Sequence, residues 1–180
     1  MKAKALDVHL RQAIEREAAE LRALHDHPDF RRWKEPPPEA WEKWRGATRR
    51  FHQYVPPLIA DVWRAAYEVD AADDPSLRRR VFAYLAVDPV HFWSGYMKQR
   101  LLRKVKRWSL EPAERAIMHD VILRQVRWPA YASFRDALRT IPTVGDQTLC
   151  VALLGLTEDH DPDVAERAEI ALNYFGHDQR

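Results

Sequence analysis

The residues best suited to binding chemistry form one basic amphipathic segment, Phe92 to Trp108. At 100° per residue, its apolar side chains gather on one side of a helix and its cations fan out on the opposite side. The apolar residues are Met97, Leu101, Leu102, Val105 and Trp108, and the opposite cations are Arg100, Arg103, Lys106 and Arg107. Cations spaced along a rigid helix suit phosphates or clustered carboxylates, and exposed aromatic rings can stack on bases. The segment therefore predicts a surface for a nucleic acid or an acidic protein, with a solvated basic helix as the alternative.

A membrane partner is disfavoured by the same pattern, because the apolar side of this helix is needed for the core. The sequence contains no run of 18 apolar residues, so we predict no transmembrane helix. No apolar stretch typical of a signal peptide follows the basic N-terminus. The predicted binding residues also include neighbouring cations, and the full set is Arg78, Arg79, Arg100, Arg103, Lys104, Lys106 and Arg107.

Other clusters carry weaker chemical signals. His25 and His27, with two nearby aspartates, could bind a divalent metal only in a loop, because residues two apart on a helix do not share a face. We interpret them as a polar helix end. The acidic run from Glu158 to Asp163 lacks the glycine and the spaced glutamate of a calcium loop, and we interpret it as a turn followed by a helix cap.

Catalytic signals are absent from the sequence. His119 and Asp120 could form an acid–base pair, but adjacent helical residues point in different directions. The single cysteine, Cys150, excludes a disulfide framework and a cysteine-based zinc site, and we expect a buried, inert thiol in a reducing cytoplasm. No phosphate loop or nucleophile elbow occurs. We therefore predict no catalytic residue, no cofactor and no metal ligand.

Charge is distributed unevenly along the chain. The net charge is only +2, but residues 76–139 contain 14 lysines and arginines against 5 acids, a local charge of +9. Beyond residue 139 there are 8 acids and 2 bases, a local charge of −6. A basic middle beside an acidic end predicts a polar surface, and solvated helix faces with mutual salt bridges are the alternative.

Apolar periodicity and proline positions predict an all-α chain of about nine helices and no strand. Asp-Pro pairs at Asp74, Asp88 and Asp161 predict helix starts, because aspartate suits the N-cap and proline suits the first helical position. Thr143 with Asp146 resembles a capping box before a later helix. The predicted helices span residues 7–25, 39–54, 58–71, 75–87, 90–108, 112–127, 131–141, 147–156 and 161–176.

The second predicted helix carries an aromatic stripe that we assign to the core: Trp41, Trp44, Thr48, Phe51 and Tyr54. Pro36, Pro37 and Pro38 before it predict a stiff, extended connector. The sequence therefore divides into an N-terminal helical extension with a proline-rich connector, residues 1–55, and a helical domain, residues 56–180.

Two helices of that domain match in pattern, Asp74 to Leu85 and Asp161 to Leu172. The aligned pairs are Leu77 with Val164, Arg80 with Arg167, Val81 with Ala168, and Leu85 with Leu172. The helix at Pro112 is a looser third copy. The starts lie 37 and then 50 residues apart, near the ~40–47 expected of two-helix HEAT-type units.

Residues 58–176 therefore resemble HEAT-like α-solenoid proteins. In that family an Asp-containing turn precedes a second helix that opens with Val-Arg and continues with alanines and leucine. Leu77-Arg78 fits the opening and Leu172 the continuation, whereas Ala165 stands where arginine is expected. The resemblance implies antiparallel helix pairs stacked as a short α-solenoid, with a concave surface for a partner and no catalytic residues. A compact, irregular helical bundle is the alternative.

Two functions follow as expectations. The first is a cytoplasmic, non-catalytic scaffold whose basic middle binds an acidic partner, while the N-terminal and Trp-rich helices cap the solenoid or form a homo-oligomer. The second is a nucleic-acid binder that could also be a DNA-repair enzyme, since HEAT-like DNA glycosylases that excise alkylated bases show that such a scaffold can support base chemistry. Asp120 and Asp136 lie in the basic region as candidate acids, and the sequence does not rank them.

Overall fold

The computed structural model describes residues 2–24, 37–129 and 133–175 of the 180-residue chain. Within these ranges the protein is all-α, as predicted, with ten helices and no strand. The helices are α1 (Lys2–Leu24), α2 (Pro38–Gln53), α3 (Pro57–Tyr67), α4 (Pro75–Val87), α5 (Ser94–Val105), α6 (Pro112–Arg127), α7 (Phe134–Leu138), α8 (Ile141–Val144), α9 (Gln147–Leu156) and α10 (Pro162–Leu172). None of these helices is both long enough and apolar enough to cross a bilayer.

Helices α4 and α10 begin as the Asp-Pro pattern predicts. The Asp74 carboxylate accepts hydrogen bonds from the backbone N–H groups of Ser76 and Leu77. The Asp161 carboxylate accepts one from Asp163. In both helices a proline occupies the first turn, where its missing N–H leaves no hydrogen bond unmade. These local signals are sufficient because the cap and its partners lie within three residues of each other.

The predicted helix start at Asp88 is wrong. Asp88 instead ends α4 in the left-handed conformation, with φ of 52°, and α5 begins only at Ser94. Its carboxylate lies 2.5 Å from Lys98 Nζ and 3.6 Å from an Arg124 nitrogen. Because Lys98 is buried, the carboxylate is needed as its counterion, and burial still lowers the pKa of Lys98 below its ordinary value.

Two predictions around Pro142 also fail. The helix predicted to end at residue 141 ends instead at Leu138, as α7, and Pro142 lies in the first turn of the next helix, α8, where a proline is tolerated. Asp146 itself caps α9, through the backbone N–H groups of Thr148 and Leu149, so no capping box begins at Thr143. The Thr143 hydroxyl donates to the Lys106 carbonyl instead, at 2.7 Å, and so joins α8 to the end of α5.

Most of the contacts join helices that are one or two positions apart in the chain. Helix α3 packs against α4 and α5, α4 packs against α6, and α5 packs against α7. Helix α10 packs against α9 and α6, and α1 lies against α4 and α3. Contacts between helices two positions apart are expected of stacked helix pairs, and they also fit a helical bundle. The HEAT-like resemblance remains a prediction.

A single cluster of buried apolar side chains joins the described helices, from Ile14 in α1 to Ala171 in α10. The apolar face predicted for α5 is buried in full. The aromatic stripe of α2 is only partly internal, because Phe51 is buried whereas Trp41 and Tyr54 are exposed. The other buried residues of α2 are Ala40 and Ala47, and Trp44 is partly buried against the core. The division predicted at residue 55, between an N-terminal extension and a helical domain, stays a prediction.

Three helices end against a cation supplied by another helix. The last carbonyls of an α-helix have no partner within it, and positive charge is favourable there. The contacts are Lys104 Nζ to the carbonyls of Ala65 and Val69 at the end of α3, Arg124 to the carbonyl of Ala86 in α4, and Arg167 to the carbonyls of Val126 and Arg127 in α6. Two of these cations, Lys104 and Arg124, belong to the basic middle and the third, Arg167, to the acidic end, and each joins one helix to another.

The first turn of α3 receives its cap from α1. Pro56 and Pro57 offer no side-chain acceptor, and the Glu17 carboxylate accepts from the backbone N–H groups of Leu58 and Ile59 at 2.9 and 3.0 Å. Burial raises the pKa of Glu17, and these two hydrogen bonds oppose that rise. Helix α1 is thereby fixed to α3 by polar contacts as well as by its apolar face.

We predict that Asp88→Asn destabilises the protein by about 2 kcal/mol. Asparagine tolerates the left-handed backbone of this position, so the substitution removes the charge alone and leaves Lys98 buried without its counterion. The measurement is urea denaturation at neutral pH. Adding Lys98→Met should recover most of the loss, and an unchanged denaturation midpoint for Asp88→Asn would contradict the role assigned to this pair.

Candidate functional site

Aromatic packing fixes the N-terminal end of the basic helix α5. The Phe92 ring lies 5.9 Å from that of Phe51, and the Trp93 ring lies 6.2 Å from that of Trp63. Trp93 takes a left-handed backbone conformation, with φ of 69°, and its buried indole Nε1 has no hydrogen-bond partner among the described residues. A bulky residue keeps such a backbone only where its surroundings hold it. The start of α5 is therefore rigidly placed.

One face of α5 is exposed and cationic. Arg100, Arg103 and Arg107 are all exposed, and their spacing places them on the side away from the buried apolar face. The Arg100 guanidinium lies 5.6 Å from the centre of the Tyr67 ring, a cation–π contact that leaves its donors available. Tyr96, one turn before Arg100, is 59% exposed. Cations and an aromatic ring thus share one surface.

Helix α7 extends this cationic surface through a shared carboxylate. Asp136 is only 4% exposed and accepts hydrogen bonds from Arg103 at 3.0–3.1 Å and from Arg139 at 3.3 Å. The two arginine side chains remain 50% and 49% exposed. Asp136 raises the pKa of Arg103 above its ordinary value by hydrogen bonding to it. One buried acid therefore holds two half-exposed guanidinium groups side by side, with a net local charge of +1.

We call this set, Arg100, Arg103, Lys106, Arg107 and Arg139, the α5–α7 basic surface. Lys106 is partly buried and Arg107 is exposed, and both follow directly after α5. The surface combines two arginines held by Asp136 with three cations that have no acidic partner among the described residues, which suits an extended anionic ligand better than a single small ion.

Three of the predicted binding residues lie outside this surface. Arg78 donates to both Glu114 carboxylate oxygens at 2.6 Å and to the carbonyls of Ala72 and Ser109. Lys104 is used at the end of α3, and burial lowers its pKa. Arg79 is partly buried beside a cavity between α1, α4 and α6. The structure therefore brings together four of the seven predicted residues, namely Arg100, Arg103, Lys106 and Arg107.

The other candidates are placed as follows. His119 is buried, and its Nε2 lies 2.9 Å from the Val144 carbonyl, whereas Asp120 is exposed, so the two form no acid–base pair. Cys150 is partly buried. The acidic run forms a turn and the cap of α10, as predicted. His25 and His27 lie outside the described residues. Among those that are described, no group of three or more potential ligands could hold a metal ion.

Sequence reasoning missed Arg139, Tyr96 and the anchoring role of Asp136. The sequence does carry a signal for the contact between Asp136 and Arg139, because the two residues are three positions apart, which is the spacing of an intrahelical ion pair. The contact between Arg103 and Asp136 joins residues 33 positions apart and needs the packing of α5 against α7. No local pattern encodes that contact.

Comparisons with protein families, with curated proteins and with solved structures gave no match for this chain.

We predict that Glu114→Gln lowers stability at neutral pH by about 2 kcal/mol, the range for a hydrogen bond to a charged group. Burial would raise the Glu114 pKa, but the Arg78 hydrogen bonds, the Glu111 backbone N–H and the Arg78 charge together hold it below its ordinary value of 4.5. For a depressed carboxyl pKa, the stabilisation is complete above the ordinary value and is lost as the pH falls through the lower, folded-state pKa.

Thermal denaturation between about pH 7 and pH 3 tests this prediction. The wild-type protein should lose stability below about pH 4.5, and Glu114→Gln should flatten that part of the profile. Glu42→Gln is the matched control, because its arginine partner, Arg45, forms an exposed pair of small energetic value. Equal profiles for the two variants would show that the Arg78–Glu114 pair is unimportant.

Proposed function

We propose that this protein is a cytoplasmic, non-catalytic scaffold that binds an acidic protein segment through the α5–α7 basic surface. The observation that carries the proposal is the shared carboxylate of Asp136, which holds Arg103 and Arg139 half-exposed and side by side. Guanidinium groups bind carboxylates through paired hydrogen bonds, and fixing the groups in advance reduces the entropy lost on binding.

Burial of the apolar face of α5 supports this function. Since Met97, Leu101 and Val105 are fully buried, the helix has only its cationic face for a partner. A surface of cations with little exposed apolar area favours electrostatic recognition, which gives fast association and strong dependence on salt. An acidic segment in an extended or helical conformation could follow the row of charges along α5.

We predict that Arg100→Glu, Lys106→Glu and Arg107→Glu together weaken binding of a fluorescein-labelled oligoglutamate peptide by about tenfold. Each exposed ion pair contributes about 0.2–1 kcal/mol, and three are lost at once. Arg103 is left unchanged because reversing its charge beside buried Asp136 would damage the fold. Fluorescence anisotropy at about 50 mM salt is the measurement, and wild-type binding should weaken as salt is added.

The matched control reverses three exposed arginines outside this surface, Arg16, Arg22 and Arg49, and so changes the net charge equally. The control should bind like the wild-type protein. If both triple variants weaken binding equally, only net charge matters and the α5–α7 surface is not the site. If the wild-type protein does not bind the peptide at about 50 mM salt, the proposal fails outright.

A nucleic acid is the second candidate partner, and exposed Tyr96 is the observation that favours it. The ring lies one turn from Arg100, and the Trp93 ring beneath it is 5.1 Å away. Proteins that bind single strands combine cations for the backbone with aromatic rings on which bases stack. The α5–α7 basic surface supplies the cations and the neighbouring Tyr96 supplies the ring, so the same geometry could place a base against Tyr96.

We predict for this case that Tyr96→Ala weakens binding of single-stranded DNA or RNA by about tenfold and leaves oligoglutamate binding unchanged. The reason is that stacking contributes about 1–3 kcal/mol per base, whereas a carboxylate gains nothing from the ring face. Anisotropy titrations with both probes on the same variant separate the two partners. Nucleic-acid binding that is indifferent to Tyr96→Ala would remove the specific support for this candidate.

A further inference from the structure

A cavity of about 570 Å³ lies between α1, α4, α6 and the connection that follows α5. Its lining residues come from three separate stretches of the chain, Arg11, 72–83 and 109–117, so it exists only in the folded protein. Its volume falls within the roughly 300–1,000 Å³ of small-molecule sites. None of the cations of the α5–α7 basic surface lines it, so it is distinct from the surface proposed above.

The cavity has an apolar floor and a rigid wall. Phe82, Ala83, Leu110 and Ile117 supply apolar surface, and Phe82 and Ala83 are themselves buried. The wall is formed by Arg78, whose guanidinium is held by Glu114 and lies 5.3 Å from the Trp108 ring. A floor and wall fixed in this way need little rearrangement when a ligand enters, which favours affinity.

Among the polar groups that line the cavity, Arg11 has no hydrogen-bond or ion-pair partner in the described part of the chain. Arg11, which reaches the cavity from α1, has a buried Nε without a hydrogen-bond partner among the described residues. Glu114 is occupied by Arg78, and Glu111 takes part in the capping box at the start of α6. Because a guanidinium without acceptors is costly to enclose, a ligand carboxylate beside the terminal nitrogens of Arg11 would be favourable.

The charges favour a monoanion over a phosphate. Three arginines and two glutamates line the cavity, so the net charge is about +1 if all are ionised. A carboxylate balances that charge, whereas a doubly charged phosphate would be repelled by the two glutamates. The apolar floor requires an uncharged body on the same molecule.

We propose that this cavity binds a small monocarboxylate with an apolar chain or ring. Its carboxylate accepts a hydrogen bond from Arg11, and its apolar body lies on Phe82, Leu110 and Ile117. The proposal does not depend on the scaffold function, because the α5–α7 basic surface lies elsewhere. It assigns the protein a small-molecule site formed by α1, α4 and α6.

Isothermal titration calorimetry of the full chain with octanoate, octanol and octyl phosphate tests the proposal. Octanoate should bind about tenfold or more tightly than octanol, the value of one charge-assisted hydrogen bond, and more tightly than octyl phosphate. Arg11→Gln should abolish the preference for octanoate over octanol. Arg16→Gln, an exposed substitution on the same helix and outside the cavity lining, should leave it intact.

A second variant tests the location of the site and leaves the charge of the cavity unchanged. Ala113 is exposed and lines the cavity, so Ala113→Trp should fill the space, weaken octanoate binding about tenfold and preserve helix content by circular dichroism. The proposal is overturned if octanoate does not bind, if octanol binds equally well, or if a folded Ala113→Trp protein binds octanoate unchanged. Retention of the octanoate preference in Arg11→Gln would overturn the role given to Arg11.

Discussion

The polar ends of buried helices are the constraint on which this structure depends. Every helix leaves N–H groups at its start and carbonyl groups at its end without internal partners, and burying them unpaired is costly. In this protein some helix starts are capped locally, as by Asp74 and Asp161, and other helix ends take their partners from neighbouring helices. Glu17 caps the start of α3, while Lys104, Arg124 and Arg167 reach the ends of α3, α4 and α6. Apolar contacts bring the helices together, and these charged contacts fix which helix end lies beside which neighbour.

The same constraint explains why a basic composition does not translate directly into a binding surface. Residues 76–139 carry a charge of +9, but several of those cations are committed to helix ends or to buried acids. Arg78 alone contacts Glu114 and two carbonyls, and Lys98 is buried against Asp88. What remains for a partner is the narrower set on α5 and α7. Asp136 gives that set its geometry, since it aligns two arginines without removing them from solvent.

The cavity and the basic surface are linked through the elements that build them. Helix α5 presents the cations, and the connection after it contributes Ser109 and Leu110 to the cavity lining. Arg78 donates to the Ser109 carbonyl and to Glu114, so one residue ties α4 to both that connection and α6. A ligand in the cavity would therefore contact the region that fixes the C-terminal end of the basic helix.

The sequence by itself determined the helical class, most helix bounds, the caps at Asp74 and Asp161 and the buried face of α5. These features depend on residues within a few positions of each other, where periodicity and capping chemistry act. Tertiary structure decided the rest. It turned Asp88 from an expected helix start into the counterion of Lys98, and it joined Arg103 to Asp136. Those outcomes depend on which helices pack together, and a one-dimensional pattern of charges does not specify the partner of each charge.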